Sequence, residues 1–302
     1  MSNTDDSAPI PRPNAVSLAS ALAEKAKKRS SQTNFQIISS AKQLPIWSEA
    51  VRGIPNIALR SALFGVAMKG VRGYLERKEI HAQDGISIVY TGVRLDQSDL
   101  DVWETVLHIT RIQALGMECR VTAYQLLKNL RQTDTGNNRA SLDKRLSRMK
   151  ATGLDVKIAG ILSYEGSLID EVYRATDSRE YIIRLNPKLI NLFASDLYTE
   201  IDWELRQKLR GKPLAQWLHG YYSSHANPYS LKPSTLLKLA GSANNEPRSS
   251  NQKLRKALSA LEEASNSYGQ SFSYKIEKGL IHVDKAPSNT QKKHLAKKAR
   301  KK

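Results

Sequence analysis

Cysteine is almost absent. Cys119 stands alone among 302 residues, so no intramolecular disulfide and no thiolate-based zinc site can form within the chain. The six histidines (His81, His108, His219, His225, His282 and His294) make no HxH or HExxH pattern, and no GxxxxGK run followed by Ser or Thr occurs. Metal-dependent nicking, zinc hydrolysis and P-loop nucleotide hydrolysis therefore lack their usual signatures. A nicking tyrosine at Tyr221-Tyr222 would need a metal cluster beside it, so packing within a helix is the expected role of that pair. No apolar run approaches the ~20 residues of a membrane span. The opening MSNTDDSAPIPRPN is polar and has no signal-peptide core. A protein of a reducing cytosol, without cofactor and without enzymatic activity, is the expectation.

What the chain does have is positive charge. Forty-seven Lys and Arg oppose 29 Asp and Glu, giving a net +18 and a pI near 9.9. Charge of this size favours a polyanionic partner, by steering and by counterion release. The last stretch, Gln291–Lys302, supplies seven of the basic side chains, and the remainder still carries +11. Lys292 to Lys302 shows no apolar periodicity and is expected to be disordered. It either adds salt-sensitive attraction to a polyanion or serves only as a solubilising tail.

Residues 1–42 are rich in Ser, Ala, Pro and Lys and poor in aromatics, so disorder is expected there. Gln43-Leu44-Pro45-Ile46-Trp47 ends that polarity abruptly. Gln43, Leu44, Ile46 and Trp47 resemble the peptide that docks on the bacterial sliding clamp, an extended mode with an aromatic anchor. The competing reading is that Leu44, Ile46 and Trp47 begin the first domain and pack on its core.

A first module follows. Ile86–Val93 is β-branched and entered through Asp84-Gly85, which predicts a strand. Ser98-Asp99 caps a predicted helix running to about Ala114. Thr122 opens a short helix, Thr133–Asn138 makes a polar turn, and a basic helix starts near Arg139. Two strands, Leu154–Leu162 and Leu168–Tyr173, are expected to be joined through Glu165-Gly166, with a wing tip near Tyr164–Ser167. Tyr181–Leu185 is a further strand. Glu200–Leu209 reads as a junction helix, with Ile201, Leu205 and Leu209 on one side.

The same order of elements then recurs. Helices are predicted at Pro213–His225, Pro233–Ala240 and Arg248–Ala264, and a ribbon at Phe272–Ile276 and Leu280–Val283 turned at Glu277-Lys278-Gly279. Leu126-Leu127-Lys128 reappears as Leu236-Leu237-Lys238. Helix, turn, basic helix and ribbon is the order of a winged helix, whose second helix-turn-helix element enters a DNA major groove. The predicted fold class is α+β, two tandem winged-helix domains with a disordered N-terminus and a basic C-terminal tail. The divisions fall at 1–42, 43–199, 200–286 and 287–302.

In the second module Leu254, Leu258 and Leu261 form the inward stripe, leaving Arg248, Gln252 and Arg255 outward with Asn251 and Lys256 beside them. Arg can bond guanine in two places and Asn or Gln can do so with adenine, so this face can read bases. Ser249 and Ser250 suit phosphate oxygens at the helix start. Lys275 and Lys278 place charge on the wing. In the first module Asn138, Arg139, Ser141, Lys144, Arg145 and Arg148 are the outward set, with more bare charge and fewer amides, so more phosphate contact is expected there.

Taken in order, several stretches resemble the TrfA-type plasmid replication initiators. They include Ile54-Pro55-Asn56 with Arg60-Ser61-Ala62-Leu63-Phe64, Val89-Tyr90-Thr91-Gly92-Val93 with Asp101-Val102-Trp103, and Leu146–Thr152. Leu192-Phe193-Ala194 with Tyr198-Thr199, and Tyr222-Ser223-Ser224-His225 with Pro228-Tyr229, complete the set. The resemblance implies tandem winged helices that bind repeated origin sequences (iterons) as a monomer, melt nearby DNA, and recruit the host replicative helicase alongside DnaA. It also implies an inactive homodimer paired through the first module, and a clamp-binding peptide in some members. A transcriptional repressor of the same fold, acting on its own gene, is the alternative.

Overall fold

The computed structural model describes residues 43–66, 72–113, 116–175, 180–194, 197–242 and 247–299. The expected disorder of residues 1–42 concerns a segment outside them. The first module opens with β1 (Val51–Pro55), α1 (Asn56–Leu59), β2 (Phe64–Gly65), β3 (Tyr74–Ile80), β4 (Ile86–Val93) and β5 (Leu95–Asp96). It continues with α2 (Gln97–Thr110), β6 (Glu118–Thr122), α3 (Ala123–Asn129), α4 (Gly136–Lys150), β7 (Gly153–Ile158) and β8 (Leu162–Gly166). Strands β9 (Ile169–Arg174) and β10 (Glu180–Leu185), a 3-10 helix (Pro187–Phe193) and β11 (Tyr198–Asp202) end it. After α5 (Trp203–Lys208) the second module comprises α6 (Pro213–Ser223), α7 (Pro233–Leu239), α8 (Pro247–Ser267), β12 (Phe272–Glu277) and β13 (Leu280–Lys285), and α9 (Asn289–Ala299) closes the described chain.

Local chemistry starts the helices. Asp96 accepts from the Ser98 and Asp99 amides while the Asp99 carboxylate takes the Asp96 N–H, a reciprocal cap. The cap thus lies two residues before the Ser98-Asp99 expected from sequence. Thr122 and Gln125 make the same box at α3. Thr135 caps α4 by accepting the Asn138 amide, so that helix begins ahead of Arg139.

Each module is a winged helix. In the first, β6, β10 and β9 form an antiparallel sheet behind α2, α3 and α4. In the second, β12 and β13 pair antiparallel and Leu231 bridges to Ile281 in the place of the third strand. The first module carries an addition. Strands β7 and β8 form a hairpin that joins β3 and β4 in a four-stranded sheet.

That addition corrects the ribbon predicted at Leu154–Leu162 and Leu168–Tyr173. The hairpin turns at Gly160, whose φ of +69° suits glycine, and Glu165-Gly166 lies inside β8 opposite Asp155 and Leu154. Tyr164 is buried and its hydroxyl donates to the Ser167 carbonyl, so Tyr164–Ser167 is no wing tip. The wing is formed by β9 and β10, and residues 176–179 between them lie outside the described set.

The junction differs as well. Glu200, Ile201 and Asp202 belong to β11, which pairs antiparallel with β1; the helix starts only at Trp203, where Asp202 caps it by accepting the Leu205 amide at 2.9 Å. The tail expected to be disordered from Lys292 is helical in α9 as far as Ala299. Gln291 pins that helix by donating to the Ser223 carbonyl at 2.7 Å.

Two apolar clusters fill the modules, and α5 straddles them, with Trp203 in the first and Leu205 in the second. Tyr221 and Tyr222 lie in the second cluster, Tyr221 stacked on Trp217 with ring centroids 5.0 Å apart. Arg206 of α5 is fully buried and pairs with Asp101 and Glu104 of α2, each at 2.7 Å. Burial pushes the Glu104 carboxyl up from its ordinary value, against the pull of that guanidinium. Among the described residues no helix is long and apolar enough to cross a membrane.

Candidate nucleic-acid interface

Helix α8 is built in two faces. Ser250, Leu254, Ala257 and Leu261 recur at helical spacing and are buried. Arg248, Asn251, Gln252, Lys253, Arg255 and Lys256 are exposed. Among the described residues, Asn251, Gln252, Arg255 and Lys256 make no side-chain hydrogen bond or ion pair, so their donors remain open to a ligand. Ser259 ends the open face, because its hydroxyl pairs with that of Tyr274 on β12 at 2.9 Å. The wing thus meets α8 near its middle, beyond the exposed first half where the sequence concentrates Arg, Asn and Gln.

Two corrections apply on this helix. Ser250, expected to meet phosphate, is 4% exposed and faces the core; Ser249 is half-buried. Lys253 was missed, although a basic residue between Gln252 and Leu254 is visible in sequence. It lies at the border of the apolar stripe, so spacing alone did not select it. On the wing, Lys275 and Lys278 are exposed as expected. Lys278 and Gly279 adopt φ of +50° and +76°, the positive pair of a two-residue hairpin turn of type I′.

The first module's helix is different. Arg139, read from sequence as an outward cation, grips the Asp134 carboxylate with two bonds of 2.6 Å. Asn138 donates its amide to the Thr133 carbonyl at 2.7 Å. Arg148 was also expected to face outward, but it turns to the fully buried Asp99 at 2.7 Å. Arg145 is half-buried, as is Ser141, and burial lowers the Arg145 guanidinium from its ordinary value. Lys144 alone of the six named positions is exposed. Much of the charge expected on α4 is thus spent within the protein, and α8 offers the larger open face.

The Gln43–Trp47 segment follows the second of its two readings and begins the first core. Leu44 and Trp47 are 2% and 4% exposed within the first core. Trp47 stacks on Phe193 with centroids 6.0 Å apart, and Gln43 donates to the Arg111 carbonyl at 3.0 Å. Ile46 points outward, 78% exposed. A docking peptide needs its aromatic anchor free, and here the anchor is part of the fold.

Among the described residues no group of His, Cys, Asp and Glu is placed to hold a metal ion. Cys119 is buried, which pushes its thiol up to about 12.

Comparisons with known proteins bear on the family and the fold. The family model described as TrfA protein matches residues 14–284. The plasmid replication initiator protein TrfA of Escherichia coli is 32% identical over 203 residues, covering 65% of this chain and 53% of that protein, so this chain spans about half the length of that relative. The crystal structure of domains 2 and 3 of RctB superposes with a TM-score of 0.52 at 16% identity, covering 74% of this chain and 94% of that one. The structure of Pi initiator protein in complex with iteron DNA gives a TM-score of 0.45 at 8% identity, covering 63% and 91%.

Proposed function

The chain belongs to the TrfA family, and on that premise we propose that it is a plasmid replication initiator that binds directly repeated origin sequences as a monomer. The observation that carries the reading is the bare first half of α8, where Arg248, Asn251, Gln252 and Arg255 stand exposed on a helix held rigidly from behind. Arg255 and Arg248 suit guanine edges, and Asn251 and Gln252 suit adenine. Lys256, Lys275 and Lys278 supply phosphate contacts that fix register without reading sequence. In the first module Lys144 is an open cation on α4, with Ser141 beside it. Arg139, Arg145 and Arg148 serve that helix mainly by shaping it.

The protein works without catalytic chemistry of its own in this reading, in the bacterial cytoplasm at its origin. Melting of AT-rich DNA draws on binding energy and on the deformability of the duplex. Host helicase and DnaA are engaged through protein contacts, and a homodimer through the first module is the inactive reserve. Clamp binding by Gln43–Trp47 forms no part of the proposal, since Leu44 and Trp47 are used in the core.

A plasmid bearing only this gene and its flanking DNA as replication functions is the test. Replication in a suitable host, lost when the direct repeats are deleted, is the expected result. Repression of the gene's own promoter through a lone palindrome, with no replication, would favour the autoregulator instead.

A further inference from the structure

The short turn that leads into α2 touches the elements that set both DNA-facing helices. On one side, Arg94 donates from Nη2 to the Gly241 carbonyl at 3.0 Å, in the turn between α7 and α8. The contact is close on the backbone too. The Val66 amide donates to the Ala240 carbonyl at 2.8 Å, and Val66 packs on the second module's core. A Cβ on Gly65 would lie 3.1 Å from the Ala240 oxygen, and one on Gly241 would lie 3.1 Å from both Ala62 and Arg94. Gly241 also has a φ of +65°. Main chain of the first module is thus pressed against the helix-turn-helix turn of the second.

On the other side, three residues past the end of β5, the buried Asp99 carboxylate takes Arg148 of α4 at 2.7 Å. Arg72 locks the turn from outside, donating to the Arg94 carbonyl at 3.2 Å and to Asp99 at 2.6 Å, and pairing with Asp96. Arg94, which holds the second module's turn, and Asp99, which holds the first module's helix, stand only five positions apart in the chain.

We infer that Arg94–Asp99 is a positioning element that fixes α4 and α8 at one separation, so that the protein reads a single site of fixed internal spacing. The inference rests on the reading of these helices as DNA-facing. A flexible tether between modules would tolerate changes in spacing; this turn does not, because one added base pair displaces the second contact along and around the duplex.

Full-length wild type, Arg94→Ala and the milder Arg94→Lys are compared in two ways. First, spin labels at the exposed Ala140 and Lys253 report the distance between the helices without DNA. A narrow distribution in wild type that widens at least twofold in Arg94→Ala is expected, and an equal width in both overturns the inference. Second, each protein binds its direct repeat and a version with one base pair inserted at the centre of the footprint. Wild type should lose at least tenfold on the insertion and Arg94→Ala less than threefold relative to its own unaltered site. Unaltered folding with the wild-type spacing penalty retained in Arg94→Ala overturns the inference. If the labels behave as expected but wild type binds the repeat no better than random DNA, the DNA reading has failed, and the fixed-spacing role falls with it although the mechanical link stands.

Discussion

The Trp47 indole N–H donates to Nδ1 of His108 at 3.0 Å, and Nε2 of the same ring faces a Glu49 carboxylate oxygen at 2.8 Å. An indole only donates, so Nδ1 accepts, and the proton of the neutral ring sits on Nε2 toward Glu49. The bond joins the start of the described chain to the end of α2, 61 residues away. Trp47→Ala should therefore cost about 3–5 kcal/mol of stability, read by urea denaturation. A loss below about 1 kcal/mol would mean the residue is not the core anchor described above.

Stability should fall in mild acid. Burial lowers His108 to about 4, His225 to about 4 and His219 to about 3. Each folded pKa lies below the unfolded value near 6.5, so each contribution is complete above pH 6.5. Below that, the unfolded chain takes up protons that the folded chain refuses. The loss is about 1.4 kcal/mol per pH unit for each histidine until its folded pKa is reached. Thermal unfolding across pH 4.5–8 should show the midpoint dropping below 6.5. His219 has no partner for either ring nitrogen among the described residues, so His219→Leu should be tolerated and should flatten that slope. An unchanged slope would place its proton elsewhere.

The wing turn allows stability and DNA contact to be separated. Asn tolerates positive φ better than Lys, and Asn-Gly is the favoured pair for this turn. Lys278→Asn should leave stability unchanged or raise it by up to about 1 kcal/mol. If the wing meets phosphate, the salt slope of DNA binding should fall by about 1. A slope equal to wild type would take this wing off the DNA.

Lys144 and Arg148 look alike in sequence and differ in structure. Lys144→Ala should leave stability within about 0.5 kcal/mol and reduce the salt slope of binding. Arg148→Ala should cost about 1–3 kcal/mol of stability, because among the described residues the buried Asp99 then keeps Arg72 alone as an ion-pair partner. Denaturant titration of both variants separates the roles; equal stability would contradict the inward path of Arg148.

These cases mark what the sequence could reveal. Strand Ile86–Val93 and the elements of the second module are local signals, alternation or helical stripes bounded by Gly and Pro, and they fold where those signals say. The β7–β8 hairpin is not legible locally, because Gly160 and Gly166 are both glycines that suit a turn. The choice depends on pairing with β4, about 65 residues earlier in the chain. The direction of Arg148 was hidden for the same reason, since its partner Asp99 is 49 residues away. Helix α9 carried a local sign that charge obscured. Ser288 and Gln291 form the S-x-x-Q cap, with the Gln291 amide donating to the Ser288 hydroxyl at 3.2 Å.

Arg255 lies at the centre of the open face of α8 and is the most direct probe of the whole account. Wild type and Arg255→Ala should be titrated by fluorescence anisotropy, at one salt concentration, against the direct repeat of the origin and against a scrambled duplex of equal length. The expected result is a loss of about 1–3 kcal/mol on the repeat, relaxed preference at one base pair, and little change on the scrambled duplex. Equal losses on both duplexes would show that α8 supplies charge alone and does not read the sequence.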